Sequence, residues 1–146
     1  GHIWIGGSRS GAVEYDGENL IHHAGAMREV WSNGGAKDIV GDALSIYNIT
    51  QDPEGLIWTC GGEGLFSFNG TQFTHYDTHY GLSQIATYSL ATDQEGGVWI
   101  GTAGGGVNRY FDGYFTQLTM EDCLSSNSIW LLVVDDEYNL WVRTEK

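Results

Sequence analysis

The chain has 146 residues, 41% of them apolar, with 22 glycines against a single proline, a composition of many tight turns and few interrupted strands around a modest core. Nineteen acidic residues against six basic ones give a net charge of −13, so the mean field repels polyanions and nucleic acid is excluded as a partner. No apolar run is long enough to cross a bilayer, and the chain carries no cationic segment followed by an apolar stretch that would mark a signal peptide.

Taken in order, the chain opens on a strand with Trp4, a second strand ending in Tyr15, the turn dipeptide Asp16-Gly17 and a third strand with Leu20. Residues 25–41 show no strand alternation and read as a loop with Trp31 near its middle. A four-strand unit follows: strand A over residues 44–51, strand B with Trp58, strand C ending in Phe68 and strand D with Phe73. The next copy has strand A over residues 87–92, then Trp99, Tyr110 and Phe115, and the last has strand A over residues 129–134 followed by Trp141.

Trp58, Trp99 and Trp141 stand 41 and 42 residues apart, the period of a four-stranded propeller blade. The wider spacing from Trp4 to Trp58 places an insertion in the first copy, at residues 26–37. Asp16-Gly17, Asn69-Gly70 and Asp112-Gly113 supply the positive-φ residues of two-residue hairpins. Asp52-Pro53-Glu54-Gly55 has the composition of a type I turn and recurs as Asp93-Gln94-Glu95-Gly96. In the last copy Tyr138-Asn139 stands in place of the glycine, which makes that turn the least secure. The fold expected is all-β: a single segment, residues 1–146, of four-stranded antiparallel propeller blades. Its repeats span about residues 1–43, 44–86, 87–128 and a partial 129–146.

Recurrence at one repeat position assigns Trp4, Trp58, Trp99 and Trp141 to packing between blades; for Trp130, at the start of a strand A, core packing is the expectation and lining of the channel the alternative. Cys60 replaces the glycine found as Gly6 and Gly101, so it reads as a small buried residue; it and Cys123 are too few for a disulfide framework. The turn aspartates serve turn geometry, and no metal or other cofactor is expected.

The run Asp93-Gln94-Glu95-Gly96-Gly97-Val98-Trp99-Ile100-Gly101-Thr102, followed by Gly104-Gly105-Gly106-Val107-Asn108-Arg109-Tyr110, resembles the repeat of the two-component regulator propeller family. Tyr80-Gly81-Leu82-Ser83 and Cys123-Leu124-Ser125 resemble the family's Gly-Leu-Ser lead-in to the innermost strand. Departures are the insertion, Cys60, and Arg143 at the same strand-B position of the fourth copy. The resemblance implies a ligand-sensing, non-enzymatic module of a periplasmic or extracellular sensor region, taking a small-molecule or oligosaccharide ligand. The alternatives are a protein-interaction scaffold, or an enzyme similar to the streptogramin lyases.

About three blades are too few to close a ring, so the expectation is a homodimer or part of a longer propeller. In propeller geometry the B–C and D–A loops share one rim, which would gather Arg9, Arg28, Trp31, Glu63, His79, Tyr80 and Asn127 as ligand-binding candidates. No nucleophile or His-Glu-x-x-His motif appears, and no catalytic residue is assigned. His75, Asp77 and His79 alternate along the expected strand D and have the residue types of metal ligands, but strand D is the outer, wet strand of a blade, so an ordinary exposed polar face is the expectation there. Among enzymatic readings, His79 with Glu63 as its acidic partner is the nearest pair.

Overall fold

The computed structural model describes residues 3–7, 11–15, 18–22, 30–32, 35–37 and 45–146. Its strands are β1 (Ile3–Gly7), β2 (Gly11–Tyr15), β3 (Leu20–His22), β4 (Val30–Ser32), β5 (Gly35–Lys37), β6 (Ile46–Gln51), β7 (Ile57–Gly61) and β8 (Gly64–Phe68). These are followed by β9 (Phe73–Tyr76), β10 (Thr87–Thr92), β11 (Val98–Thr102), β12 (Val107–Phe111), β13 (Tyr114–Leu118), β14 (Ile129–Val134) and β15 (Leu140–Thr144). They form four antiparallel blades in chain order: β1-β2-β3, then β6-β7-β8-β9, then β10-β11-β12-β13, then the pair β14-β15. Among the described residues the blades do not close into a ring, and the arrangement is a partial propeller.

The turns follow from residue chemistry. Asp112 and Gly113 both take positive φ, and Phe111 pairs with Tyr114 across them, a two-residue hairpin as expected. Asn69-Gly70 departs from that expectation. Only Gly70 has positive φ, and the connection runs four residues because the Asn69 side chain accepts the backbone N–H groups of Thr71 and Gln72. Asp16-Gly17 lies outside the described residues.

Between strands A and B, each turn aspartate accepts the backbone N–H groups two and four residues on through Oδ1: Glu54 and Leu56 onto Asp52, Glu95 and Gly97 onto Asp93, Glu137 and Asn139 onto Asp135. Its Oδ2 takes the indole N–H of the strand-B tryptophan, at 2.8 Å for Trp58, 3.0 Å for Trp99 and 2.7 Å for Trp141. One carboxylate therefore fixes both the turn and the tryptophan rotamer. The fourth turn forms with this same geometry, Tyr138 adopting positive φ where Gly55 and Gly96 do.

The Trp141 indole and the Asn139 side chain and backbone hold the exposed Asp135 carboxyl down at about 2, from an ordinary 3.8. A depressed folded-state value contributes stability that is whole above the unfolded value and lost as pH falls through the folded one. The stability difference between wild type and Asp135→Asn is therefore expected to persist at neutral pH and to shrink between about pH 4 and pH 2, followed by thermal melts across that range.

Packing lies between blades. Trp4, Ala12, Ile46, Ile57, Phe66, Phe68 and Phe73 fill the first interface. Trp58, Cys60, Leu65, Leu82, Leu90, Val98 and Ile100 fill the second, and Ala91, Trp99, Val107, Ile129 and Leu132 the third. Trp4, Trp58 and Trp99 thus serve three successive interfaces. Trp141 departs from the expected burial, being 65% exposed because no described sheet packs on its side of β14-β15.

The described residues of the expected loop, 30–32 and 35–37, are strands. β4 and β5 form a hairpin, and β4 lies parallel to β9 with Trp31 opposite Thr74, so the second sheet grows outward to the order β5-β4-β9-β8-β7-β6. An exposed outer strand offers unpaired backbone groups, and β4 pairs with that edge at Thr74.

Candidate functional site

The strand order fixes the rim. Strands β6, β10 and β14 are the inner edges of their sheets, and the β7–β8 turn, the β11–β12 loop and the two connections leading to β10 and β14 lie at one end of them. Each connection is a single-turn 3-10 helix. Asp77 caps Thr78–Tyr80 by accepting the His79 N–H, and Gly81 closes it at φ 102. Thr119 and Asp122 form a capping box around Met120–Asp122, and Cys123 takes the same left-handed position at φ 87.

The first lead-in is latched to strand C of the blade it enters. Ser83 donates its N–H to Asn108 Oδ1 at 3.0 Å and its hydroxyl to the Gly105 carbonyl at 2.9 Å, while Asn108 Nδ2 donates back to Ser83 Oγ at 2.6 Å. Asn108 is fully buried, so these bonds satisfy an amide that burial would otherwise penalise.

Of the candidate rim residues, Glu63 lies in the β7–β8 turn, and His79, Tyr80 and Asn127 lie in the two connections at that same end. Asn127 is a connector: its side-chain oxygen accepts the Met120 N–H, and its carbonyl accepts Gly104 and Gly106 N–H. Glu63 is an exposed residue of the β7–β8 turn, with its carbonyl bonded to His75 Nε2 at 2.7 Å. His79 is 89% exposed, with Nδ1 3.3 Å from Asp77 Oδ1. Burial pushes the Asp77 carboxyl up, but the backbone and side-chain bonds from His79 outweigh it and leave it lowered. Tyr80 packs edge-on against Tyr76. Trp31 belongs to β4 on the outer side of its blade rather than to a rim loop. Arg9 and Arg28 lie outside the described residues.

His75, Asp77 and His79 do not alternate along one strand. Strand D of that blade ends at Tyr76, Asp77 and His79 belong to the 3-10 cap, and His75 is buried with its Nε2 engaged. Among the described residues no three His, Cys, Asp or Glu side chains group to hold a metal ion. Cys60 is buried as expected, and burial, partly offset by hydrogen bonds from Thr87 and Asn48, pushes its thiol up to about 12, leaving it an unreactive packing group.

The inner wall carries a feature that the reading of single residues missed. Strands β6, β10 and β14 slip register between Ile46 and Asn48, Thr87 and Ser89, and Ile129 and Leu131. The extra residue is aromatic each time: Tyr47, Tyr88 and Trp130. Their rings form a row, Tyr47 to Tyr88 at 5.8 Å and Tyr88 to Trp130 at 5.5 Å between centroids, the latter pair stacked. Tyr47 and Trp130 are 54% and 55% exposed, so Trp130 is not the core residue expected. Beside Trp130 an open depression of about 220 Å³ is lined by Arg143, Thr144 and Glu145.

Residues 81–104, from the glycine of the first lead-in through Trp99 to the β11–β12 loop, match the family model described as "Two component regulator propeller". This segment is similar to the two component regulator propeller repeat. No curated protein matches the chain. Among solved structures, the extracellular domain described as that of the hybrid two component system BT3049 from B. thetaiotaomicron is similar at 23% identity and a TM-score of 0.75, over 99% of this chain and 19% of that one. The extracellular domain described for the hybrid two component system BT4673 of B. thetaiotaomicron gives 22% identity and a TM-score of 0.72, over 98% and 20%. Virginiamycin B lyase from Staphylococcus aureus gives 14% identity and a TM-score of 0.67, over 99% and 45%. The chain thus spans about a fifth of those extracellular domains, and at these identities the likeness establishes the fold. The regulator propeller repeat accounts for the parts already described: the Gly-Leu-Ser lead-in, the Asp93 turn and the strand-B tryptophan it holds.

Proposed function

We propose that this chain is part of a ligand-sensing propeller in a two-component regulator, lying in the periplasm or outside the cell and binding a glycan-derived small molecule without chemical turnover. The observation that carries this reading is the regulator propeller repeat at residues 81–104. Coverage of nearly the whole chain by extracellular domains of two component systems supports it. The lyase reading has less support, since the carboxylate beside His79 is Asp77 rather than Glu63.

Exposed apolar residues on the outer blades, Ile3 and Ile5 on β1 and Leu131 and Val133 on β14, call for further blades to cover them. A second copy of the chain or the remainder of a longer propeller would supply these. The test is a thermal-shift screen against soluble saccharides and small metabolites, with light scattering on the same samples. A sensor gains stability as ligand concentration rises past Kd, by about 2.7 kcal/mol at a hundredfold excess. Absence of any saturable shift across both sets would refute the sensing reading.

A further inference from the structure

We infer that the aromatic row Tyr47, Tyr88 and Trp130, with Arg143 and Glu145 at its end, is a subsite for a neutral oligosaccharide on the inner wall of the propeller. This rests on the ligand-sensing reading above and assigns it a place. A bulge leaves one residue unpaired and re-aims its side chain, and here the device recurs at the same point of three consecutive inner strands. In each copy the re-aimed residue is a large aromatic, although nothing in the ladder requires one. The residues beside it, Ile46, Thr87 and Ile129, point into the interfaces and are buried, so the core is already supplied without these rings.

The chemistry of the wall selects the ligand class. A pyranose presents an apolar face of C–H bonds to the negative face of an aromatic ring, and its hydroxyls need both donors and acceptors around the rim of that contact. Tyr47 and Tyr88 carry hydroxyls that do both, Arg143 offers donors, and Glu145 an acceptor. Tyr88 and Trp130 stack on each other, so the exposed rings at the two ends of the row, Tyr47 and Trp130, are the platforms, and two platforms held apart by Tyr88 suit a chain of sugars better than a single compact metabolite. The depression beside Trp130, at about 220 Å³ and open, fits the end of such a chain. One arginine beside a glutamate, on a chain of net charge −13, gives no affinity for a polyanion, which sets acidic and sulfated glycans aside.

Isothermal titration of the 146-residue chain with maltohexaose, cellohexaose, xylohexaose, mannohexaose and arabinohexaose tests the assignment, with oligogalacturonate as the charged comparator. At least one neutral hexasaccharide is expected to bind, and Trp130→Ala and Tyr88→Ala are each expected to weaken it about tenfold or more. Tyr114→Ala, at an exposed site on the outer strand β13, is expected to bind as wild type, and circular dichroism of each variant checks that the blades remain folded. Neutral binding that survives both Trp130→Ala and Tyr88→Ala would overturn the subsite while leaving the sensing reading in place. So would binding of oligogalacturonate alone, or a saturable thermal shift with a metabolite and none with any hexasaccharide. Failure of every ligand in both experiments would remove the sensing reading itself.

Discussion

Trp58→Ala is expected to lower the stability of the chain by about 3–5 kcal/mol, the cost of deleting a large aromatic from a packed interior. Trp58 is 2% exposed in the interface between the second and third blades. Its ring lies 5.4 Å from both Tyr76 of its own blade and Tyr110 of the next, and its N–H is bonded to Asp52. The substitution leaves a cavity between two sheets and strips a buried carboxylate of one of its donors. Trp99→Ala is expected to cost less. Trp99 is only half-buried, and one face is covered by the Arg109 guanidinium at 5.5 Å rather than by a second aromatic. Trp141→Ala is expected to cost least of the three, because its ring is exposed and the substitution removes the bond to Asp135 without opening a cavity. Urea melts of the three variants give the order directly, through a shift in midpoint at unchanged slope. Equal losses at all three positions would show that packing across blades is not what these tryptophans share.

That gradient also marks how far the sequence could be read. The tryptophan period and the Asp-x-x-Gly turns are local signals, because one carboxylate, its turn and its indole lie within seven residues of chain, and they delivered the blades and their strands. Equivalent sequence positions do not imply equivalent surroundings, however: Trp58 and Trp141 bind their aspartates alike and differ in burial because of what the next sheet supplies. The β4-β5 hairpin left no periodicity to find, since each strand is three residues long and its partner, β9, lies about forty residues away. Asn69-Gly70 misled because the asparagine side chain, by bonding forward to the backbone, built a longer loop than the dipeptide suggests.

The candidate site was harder to read than the fold for a related reason. Asn127 and Glu63 are polar rim residues, but their carbonyls, which no sequence pattern shows, tie the loops together. Tyr47, Tyr88 and Trp130 did leave a signal, an aromatic in second place on every strand A at the same 41 and 42 residue spacing as the tryptophans. A bulge interrupts the alternation at that point, so inward and outward faces could not be assigned from period alone.

The interfaces also contain a size match that single positions do not reveal, and it gives the second large expected effect. A Cβ on Gly101 would lie 2.8 Å from Ile129 Cγ2 on the inner strand of the next blade, and one on Gly6 would lie 2.5 Å from Ile46 Cγ2. At the equivalent position of the second blade stands Cys60, and there the facing residue of the next inner strand is Thr87, whose side chain is shorter than that of isoleucine and carries a hydroxyl. Thr87 is fully buried; its hydroxyl oxygen lies 3.0 Å from the carbonyls of Gly61 and Gly64, which share its one hydrogen, and it accepts the Gly61 N–H at 3.0 Å. Cys60 and Thr87 therefore divide the same space that glycine and isoleucine divide elsewhere. Gly101→Cys is expected to cost about 3 kcal/mol, because Ile129 is fully buried and cannot retreat. Ile129→Thr alone also destabilises, by opening a void and burying a hydroxyl. The double variant Gly101→Cys/Ile129→Thr is expected to lose less than the sum of the two by about 1–2 kcal/mol, a coupling measurable from denaturant midpoints. Strictly additive losses would mean that the two sizes vary independently and that the Cys60–Thr87 pair is a coincidence of composition rather than a packing solution.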